Sequence, residues 1–456
     1  MPVVPSKAQY RYQQMEMVGF IHFTVNTFTD REWGFGDEDP DVFNPSSLDA
    51  EQWVLTAKEG GLKELILTAK HHDGFCLWPS EYTEHSVKNS PFRGGKGDLV
   101  REFTDACHKH GIKVGLYLSP WDRNHAAYGT DEYITYYRNQ LTELLTNYGD
   151  INEIWFDGAN GGTGYYGGAN EERQVDRETY YHWDSTFALV KKLQPDCQIF
   201  SDAGPDIHWI GNEHGFAGEM FWSTIDADRL VIGASDPAYL NRGDREGKDW
   251  IVGQCDVSIR PGWFYHASQD EQVKSPGELL EIYYKSVGRN AVLLLNLPPD
   301  QRGLIPETDA MNLAALRKEL DRIFETSLAG EAEASVPADF TFRKKFATGN
   351  LRDGDMETFW SSPKDGPVNI TLDFGQALQF DHVVLQEPVQ YGQRISKFSM
   401  KAVDEEGVEV ILAQGTTIGY KRILQVDPVT SRQLILEIEE SLAPPALAEI
   451  AVYYSR

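Results

Sequence analysis

The stretch DLVREFTDACHKHGIKVGLYLS, residues 98–119, contains the unit from which the fold of this protein can be deduced. Its first part has the apolar spacing of a helix and ends at Gly111, a residue suited to the left-handed conformation that follows many helices. Its second part, KVGLYLS at 113–119, is a short apolar run. Nearly continuous apolar strands that alternate with helices indicate parallel strands buried on both faces.

The same alternation continues on both sides of this stretch. Similar apolar runs are VGFIHF (18–23), ELILTA (64–69), EIWFDG (153–158) and CQIFSD (197–202), and three later runs complete a count of eight: EMFWS (219–223), IVGQCDVSI (251–259) and AVLLLNL (291–297). Eight strands with intervening helices predict an α/β fold, a TIM-like (β/α)8 barrel, over residues 1–328. An open doubly wound sheet is the alternative, but no GxGxxG motif follows the first strand.

The pattern changes after residue 328. EAEASVPADF (331–340) has the composition of a linker, and alternating apolar and polar residues then dominate up to the C-terminus. This alternation is typical of antiparallel strands with one buried face. We therefore predict a second, smaller domain over residues 329–456, an antiparallel β-sandwich.

The composition excludes several functional classes. The 456 residues include 42 Lys plus Arg and 70 Asp plus Glu, a net charge of −28, so nucleic acids and anionic membrane surfaces would be repelled. No apolar run reaches the ~18 residues that a membrane-spanning helix needs. The four cysteines lie far apart without a CxxC motif and are expected to be free, buried thiols. The start, MPVVPSKAQYRYQQMEM, has no apolar segment of the kind found in signal peptides.

Polar residues cluster where a barrel of this kind carries its active site, at the C-terminal ends of the strands. The residues in question are His22, His71, His72, Tyr117, Trp155, Asp157, Asp202, Asp206 and Glu213. Histidine, tryptophan and carboxylates together suit a sugar site. Asp157, in IWFDGANGG, is placed to face a ligand, although Asp-Gly is also a common turn pair. A second carboxylate could be Asp202, Asp206, Glu213 or Glu219.

Two other chemistries fit the sequence less well. Neighbouring strand residues point to opposite faces, so His71 and His72 are not expected to bind one metal ion. One of them is expected to point into the cleft while the other supports it. No HExxH or GxSxG motif is present, which argues against a zinc hydrolase and a serine hydrolase of the common types. We expect no catalytic metal or cofactor.

Residues 18–302 resemble glycoside hydrolase family 29, the retaining α-L-fucosidases. The segments that carry the resemblance are GFIHFTVNTF (19–28), REWGFG (31–36), LILTAKHHDGFCLWPS (65–80), KGDLVREFTDACHKHGIKVGLYLSPWD (96–122) and EIWFDGANG (153–161). The resemblance implies a retaining mechanism with Asp157 as the nucleophile. It also implies a pocket in which the sugar contacts His22, Glu32, Trp33, His71, His72, Tyr117, Trp155 and Trp263.

The stretch FSDAGPDIHWIGNEHG (200–215) resembles the branch of this family whose acid/base is the Glu of a GNE motif. That resemblance implies Glu213 as the acid/base and a preference for α-1,3- and α-1,4-linked fucose on Lewis-type glycans. The partners it implies are fucosylated oligosaccharides or glycoconjugates, and the location it implies is periplasmic or secreted. GGTGYYGGANEERQVDRE (161–178) departs from the family pattern and is expected at the mouth of the pocket. The alternatives are a fucose-binding, lectin-like protein with an inactive barrel and a retaining hydrolase of another deoxysugar.

The C-terminal part resembles a discoidin-like or carbohydrate-binding-module β-sandwich. The matching segments are GNLRDGDMETFWSS (349–362) and NITLDFGQ (369–376). In similar domains the first segment often surrounds a structural calcium ion, which would make Asp353 and Asp355 candidate oxygen ligands. An ordinary turn is an equal alternative. Without a distinctive aromatic platform for a ligand, this domain is expected to brace the barrel rather than to bind sugar.

Overall fold

A computed structural model of the protein describes residues 2–340, 344–404 and 406–455. Eight parallel strands close into a barrel in chain order, so that β1 pairs with both β2 and β8. The barrel strands are β1 Met17–Ile21, β2 Glu64–Lys70, β3 Lys113–Leu118, β4 Glu153–Trp155, β5 Gln198–Ser201, β6 Ile207–Trp209, β7 Val252–Ser258 and β8 Val292–Asn296. The predicted TIM-like barrel is confirmed.

Helices surround the barrel and connect most of its strands. They are α1 Lys7–Gln13, α2 Val25–Thr29, α3 Ala50–Glu59, α4 Leu99–His110, α5 Asp131–Asn147, α6 Trp183–Leu193, α7 Pro237–Arg242, α8 Pro276–Lys285 and α9 Glu307–Phe324. Local sequence explains their ends. The Asp98 side chain accepts a hydrogen bond from the Arg101 amide at the start of α4, and Gly111 has the predicted left-handed conformation after its end, with φ of 71°.

The prediction of the sixth strand was wrong. The strand is Ile207–Trp209, within a Gly- and Asp-rich segment that resembles a loop, and not EMFWS at 219–223. EMFWS is apolar for a different reason, since Phe221 and Trp222 are buried. The Phe221 amide donates to Thr417 Oγ1, and the Gln393 side chain donates to the Phe221 carbonyl. The segment is therefore held against the C-terminal domain.

The connection from β5 to β6 consists of residues 202–206, which form no helix. In this short connection the Asp206 amide donates to the Ile199 carbonyl, and Asp206 Oδ2 accepts from the Ile199 amide. Glu213 consequently follows the sixth strand, whereas with EMFWS as the sixth strand it would follow the fifth. This difference moves Glu213 one position further around the barrel from Asp157.

The C-terminal domain is an antiparallel β-sandwich, as predicted. Its main sheet contains β9 Glu333–Ser335, β10 Val368–Gln386, β11 Ile395–Val403, β12 Glu409–Gly415, β13 Arg422–Ser441 and β14 Glu449–Tyr453. A smaller sheet pairs Trp360–Ser361 with Ala446–Leu447. Part of the predicted linker is strand β9, because residues 333–335 pair with residues 371–373 of β10. The predicted boundary at 328/329 falls between α9 and this strand.

The two domains share an apolar core. Val384, Ile423 and Ala451 of the sandwich belong to the same buried cluster as the outer layer of the barrel. Polar contacts cross the junction as well: the Tyr420 amide donates to Asn290 Oδ1, and Tyr284 hydrogen-bonds His382. All four cysteines are buried and free, as expected from the sequence. No helix in the part of the chain that the structure describes could cross a membrane.

Asp353 and Asp355 hydrogen-bond within their own turn. Asp353 accepts from the Asp355 amide and the Thr358 hydroxyl, and Asp355 accepts from the Glu357 amide. Among residues 2–340, 344–404 and 406–455, no group of three His, Cys, Asp or Glu side chains is arranged to hold a metal ion. The contacts are those of an ordinary turn, and calcium binding here stays a prediction.

Candidate active site

A cavity of about 490 Å³, counted with its open mouth, lies at the C-terminal end of the barrel. Its lining includes seven of the eight predicted sugar contacts and both predicted catalytic carboxylates, together with two residues that were not predicted. The lining residues are Phe20, His22, Glu32, Trp33, His71, His72, Trp155, Asp157, Glu213, Asp256 and Trp263. The eighth predicted contact, Tyr117, lies directly beneath and hydrogen-bonds Asp157. The fold thus brings together residues from six distant segments of the chain.

Asp157 lies two residues beyond β4 and is fixed by two donors. The Tyr117 hydroxyl donates to its Oδ2 at 3.0 Å, and the Ala159 amide donates to its Oδ1 at 2.7 Å. Tyr117 is itself buried and stacks on Trp155, with ring centroids 5.3 Å apart. Burial and the adjacent charge of Asp157 raise the pKa of the Tyr117 hydroxyl well above its usual value, so this donor keeps its proton. The carboxylate therefore has one orientation, with 26% of its side chain exposed to the cavity.

The three histidines of the cavity are neutral. Burial lowers the pKa of His22 to about 3, that of His72 to about 4, and that of His71 well below its usual value. Both His71 and His72 line the cavity, so the prediction that only one of them would do so was wrong. Strand alternation does not apply to them, because β2 ends at Lys70.

The hydrogen-bond network also determines which ring nitrogens can accept a hydrogen bond. The Ser119 hydroxyl donates to the Trp121 carbonyl, so Ser119 Oγ can only accept from His72 Nδ1, at 2.7 Å. In the same way, Asn296 uses its amide nitrogen on the Trp263 carbonyl, so its Oδ1 accepts from His22 Nδ1 at 2.8 Å. A neutral imidazole has one donor and one acceptor nitrogen. His22 and His72 therefore both retain Nε2 as an acceptor for ligand hydroxyl groups.

Glu213 lines the same cavity from an exposed loop after β6. The Trp263 indole donates to Glu213 Oε2 at 3.2 Å. The loop itself is anchored by Asn212, whose Oδ1 accepts from the His214 amide and whose side-chain nitrogen donates to the Phe216 carbonyl. A carboxyl group in this position can reach an atom that projects from the mouth of the cavity.

Asp256 is a cavity carboxylate that the sequence analysis did not single out. It belongs to β7, is 4% exposed, and accepts a hydrogen bond from the Trp209 indole at 2.9 Å. Burial, reinforced by the charge of Glu213, raises the pKa of Asp256 well above its usual value. A signal was present in the sequence: Gln254, Asp256 and Ser258 alternate with apolar residues, and such alternation in a barrel strand directs polar groups to the interior.

The other candidate acids lie outside the cavity. Asp206 pairs with Lys191 at 2.6 Å, and Glu219 is exposed beside Arg289. Asp202 accepts from the Gly233 amide and packs so closely under Gly158 that a Cβ there would lie 1.9 Å from its Oδ2. Burial and the charge of Asp157 raise the pKa of Asp202 to about 7. This carboxyl group supports the Asp157 loop from behind.

The Gly- and Tyr-rich stretch after β4 forms a hairpin beside the mouth. Its strands, Gly161–Gly164 and Glu171–Gln174, are antiparallel. The Trp121 indole donates to the Tyr166 hydroxyl, and Arg123 Nε donates to the Thr163 carbonyl. Trp33 packs edge-on against Trp121 and remains 54% exposed. These contacts place an aromatic wall at the cavity entrance, where the remainder of a larger ligand would lie.

Comparisons with known proteins agree with this architecture. The family model described as α-L-fucosidase matches residues 4–322. An α-L-fucosidase of Arabidopsis thaliana is 42% identical over 99% of this chain and 88% of its own length. A crystal structure of a glycoside hydrolase 29 family member from an unknown rumen bacterium is 43% identical, with a TM-score of 0.90 over 100% of this chain and 78% of that one. A Ruminococcus gnavus family 29 fucosidase in complex with fucose is 33% identical, with a TM-score of 0.88 over 100% and 96% of the two chains. The chain therefore belongs to the α-L-fucosidases of glycoside hydrolase family 29.

Proposed function

We propose that this protein is an exo-acting, retaining α-L-fucosidase that releases L-fucose from α-1,3- and α-1,4-fucosylated glycans of the Lewis type. The observation that carries the proposal is the combination in one cavity of Asp157, Glu213 and three neutral histidines. A neutral deoxysugar needs hydroxyl acceptors and apolar ring faces, and the cavity supplies both. The cavity is also closed at its base by Phe20 and Trp155, which is consistent with binding of a terminal sugar.

In the proposed first step, Asp157 attacks the anomeric carbon of the fucosyl unit. The bond to the leaving oxygen breaks, and Glu213 transfers its proton to that oxygen. In the second step, Glu213 removes a proton from water, and the resulting oxygen nucleophile displaces Asp157 from the fucosyl-enzyme. Two inversions give net retention. The Tyr117 and Ala159 donors keep Asp157 in a single orientation for both steps.

His22 and His72 would accept hydrogen bonds from fucose hydroxyl groups through Nε2. Because burial lowers the pKa of both rings, these acceptors persist at neutral and mildly acidic pH. Hydrogen bonds to the sugar can strengthen as positive charge develops on it, which lowers the barrier rather than only tightening ground-state binding.

The acid/base assignment has one serious competitor. Asp256 lines the same cavity, and its pKa is raised, as a general acid requires. Asp256 is buried, however, and Trp209 engages its Oδ1, whereas Glu213 is exposed at the mouth where the leaving group would depart. We therefore assign the acid/base role to Glu213.

The test is a substrate panel with the wild-type protein. Free fucose is measured from Lewis-type trisaccharides with α-1,3- or α-1,4-linked fucose, from an α-1,2-fucosylated disaccharide and from an aryl α-L-fucoside. Rhamnosides and galactosides are the controls for another sugar preference. We expect the branched trisaccharides to give the highest kcat/KM and the first-formed fucose to be the α-anomer by NMR. Binding without release would favour the lectin-like alternative, and equal kcat/KM on the aryl fucoside would contradict the linkage preference.

A further inference from the structure

His266 lies behind the cavity wall and contacts two carboxylates at once. Its Nε2 is 2.7 Å from Glu32 Oε1, and its Nδ1 is 2.6 Å from Asp30 Oδ1. Ionised carboxylates only accept hydrogen bonds, so both ring nitrogens must donate, and the ring must carry a positive charge. His266 thus differs from the three neutral histidines inside the cavity.

Glu32 is the point where the loop that carries Trp263 is attached. Its Oε2 accepts from the Trp263 amide at 2.9 Å, and its Oε1 accepts from the Phe264 amide at 3.3 Å as well as from His266. A Cβ at Gly262 would lie 2.3 Å from Glu32 Oε1, so the loop approaches this carboxylate as closely as a backbone can. The position of Glu32 therefore determines the position of Trp263, whose indole in turn holds Glu213.

We propose that His266 is a positioning residue of the sugar pocket, whose charged ring ties Glu32 to Asp30 and thereby holds the Trp263 loop in its binding position. The proposal rests on the proposed function, because its kinetic consequence is weaker fucoside binding. The titratable groups that face the ring are Asp30 and Glu32, both from the segment that follows α2. On its own loop, the neighbouring Gln269 is neutral, and Asp270 is engaged by Arg260 and Tyr265.

The pH dependence follows from this arrangement. Burial of the ring acts in the opposite direction, but the hydrogen bonds and charges of Asp30 and Glu32 outweigh it and raise the pKa of His266. The charged form is therefore complete below the ordinary histidine pKa of about 6.5 and is lost as the pH rises through the raised value. Above that value one of the two hydrogen bonds breaks, and the loop loses its attachment on one side.

The experiment compares the wild type with His266→Gln and Asp30→Asn. Glutamine keeps a donor but no charge, and Asp30→Asn removes only one anion at a largely exposed site, where Asn also tolerates the left-handed backbone of residue 30. The control is His110→Gln, which alters a histidine–carboxylate pair with Glu51 on the outside of the barrel. Thermal melts establish that each variant is folded. KM and kcat for an aryl α-L-fucoside are measured from pH 5 to 9, values chosen to bracket the ordinary histidine pKa of about 6.5.

For His266→Gln, we expect KM for the aryl fucoside to rise about tenfold at low pH while kcat changes much less, because the displaced loop carries the sugar contact Trp263 whereas Asp157 keeps both of its hydrogen-bond donors. The wild type is expected to show a rise of KM at alkaline pH, and this rise should disappear in His266→Gln and move to lower pH in Asp30→Asn. An NMR titration of the ring protons, assigned by their loss in His266→Gln, should give a wild-type pKa above the ordinary value that falls in Asp30→Asn. Unchanged KM profiles, or a ring that titrates at or below its ordinary pKa, would overturn the proposal.

The NMR measurement does not depend on activity. If the wild type releases no fucose from any fucoside, the proposed function fails, while the titration still tests whether a charged His266 joins the two carboxylates. If fucose is released but both variants match the His110→Gln control, the enzyme assignment stands and the positioning role of His266 is refuted.

Discussion

Asp157 lies two residues beyond a barrel strand and is held by Tyr117 and Ala159, whereas Glu213 lies on an exposed loop and is held by the indole of Trp263. The wall of the cavity that carries Asp157, the rigid wall, rests on buried aromatic rings that stack from Phe200 through Trp155 to Tyr117. The wall that carries Glu213 and Trp263, the exposed wall, rests on two loops. The difference fits the proposed chemistry, since a nucleophile needs one fixed line of attack while an acid/base must serve both a leaving group and water.

The largest effect is expected on the rigid wall. Asp157→Asn is nearly isosteric and should leave the melting temperature within a few degrees, while kcat on an aryl fucoside falls by roughly 10⁴-fold or more. Azide or formate should restore part of the turnover as an external nucleophile. The measurement is initial rates with and without the added anion. Activity near that of the wild type would remove Asp157 from the mechanism.

On the exposed wall, the effect should depend on the leaving group. Glu213→Gln should slow release from a natural trisaccharide by about 10²–10⁴-fold, but slow the first step of an activated aryl fucoside far less, because a good leaving group needs little protonation. The fucosyl-enzyme should then accumulate, giving a burst of aryl product, and azide should accelerate turnover to an α-fucosyl azide, since its attack supplies the second inversion.

Asp256→Asn is the matched comparison for that result. It removes the other cavity carboxyl group while leaving the exposed loop intact, and we expect no burst and no response to azide. If the burst and the azide response appear in Asp256→Asn and are missing in Glu213→Gln, the acid/base is Asp256, and the contrast between a rigid and an exposed wall is wrong.

The same division explains what the sequence could predict. Residues fixed by strands, such as His22, Tyr117 and Asp157, could be placed at one end of the barrel because parallel strands bring their carboxyl ends together. The sixth strand could not be found, since Ile207–Trp209 is only three residues long and EMFWS is apolar through contact with the second domain. Glu213 was one of four candidate carboxylates and was selected among them only through the family resemblance, because an acidic residue on a polar loop has no local signal in a chain with 70 acidic residues.

Two further features depended on contacts between distant segments. Asp256 was missed although its alternation with Gln254 and Ser258 was visible, because the notable property, burial beside another carboxylate, requires the folded barrel. The pairing of His266 with Asp30 and Glu32 joins residues more than 230 positions apart. No spacing within one segment could have indicated either arrangement.

A smaller effect should distinguish the hydrogen-bond donor that holds Asp157 from the one that holds Glu213. Tyr117→Phe and Trp263→Phe each remove one donor and retain an aromatic ring. A buried hydrogen bond to a charged group contributes about 1.5–3 kcal/mol, so Tyr117→Phe should lower kcat by roughly 10–100-fold on every fucoside. Trp263→Phe should lower kcat only a few-fold and only on natural glycans, because its bond to Glu213 is longer and exposed. Equal losses in the two variants would mean that the two walls are equally rigid.

The smallest effect concerns the free energy of unfolding rather than activity, and it depends on the burial of His22. Burial lowers the pKa of His22 to about 3, while an unfolded chain has a histidine pKa of about 6.5. Between these values the unfolded state binds a proton that the folded state excludes, so the free energy of unfolding falls by about 1.4 kcal/mol per pH unit for this one group as the pH decreases.

The variant His22→Gln can still donate a hydrogen bond to Asn296 but cannot titrate. The free energy of unfolding is measured by denaturant titration from pH 7.5 to 4.5, a range that spans the ordinary histidine pKa of about 6.5. For His22→Gln it should fall less steeply than for the wild type, by about 1.4 kcal/mol per pH unit. The two curves should run parallel above the ordinary histidine pKa and converge below it. Parallel curves throughout would show that His22 titrates in the folded protein as it does in the unfolded chain, so that Nε2 would be protonated and lost as a hydroxyl acceptor below the ordinary histidine pKa of about 6.5.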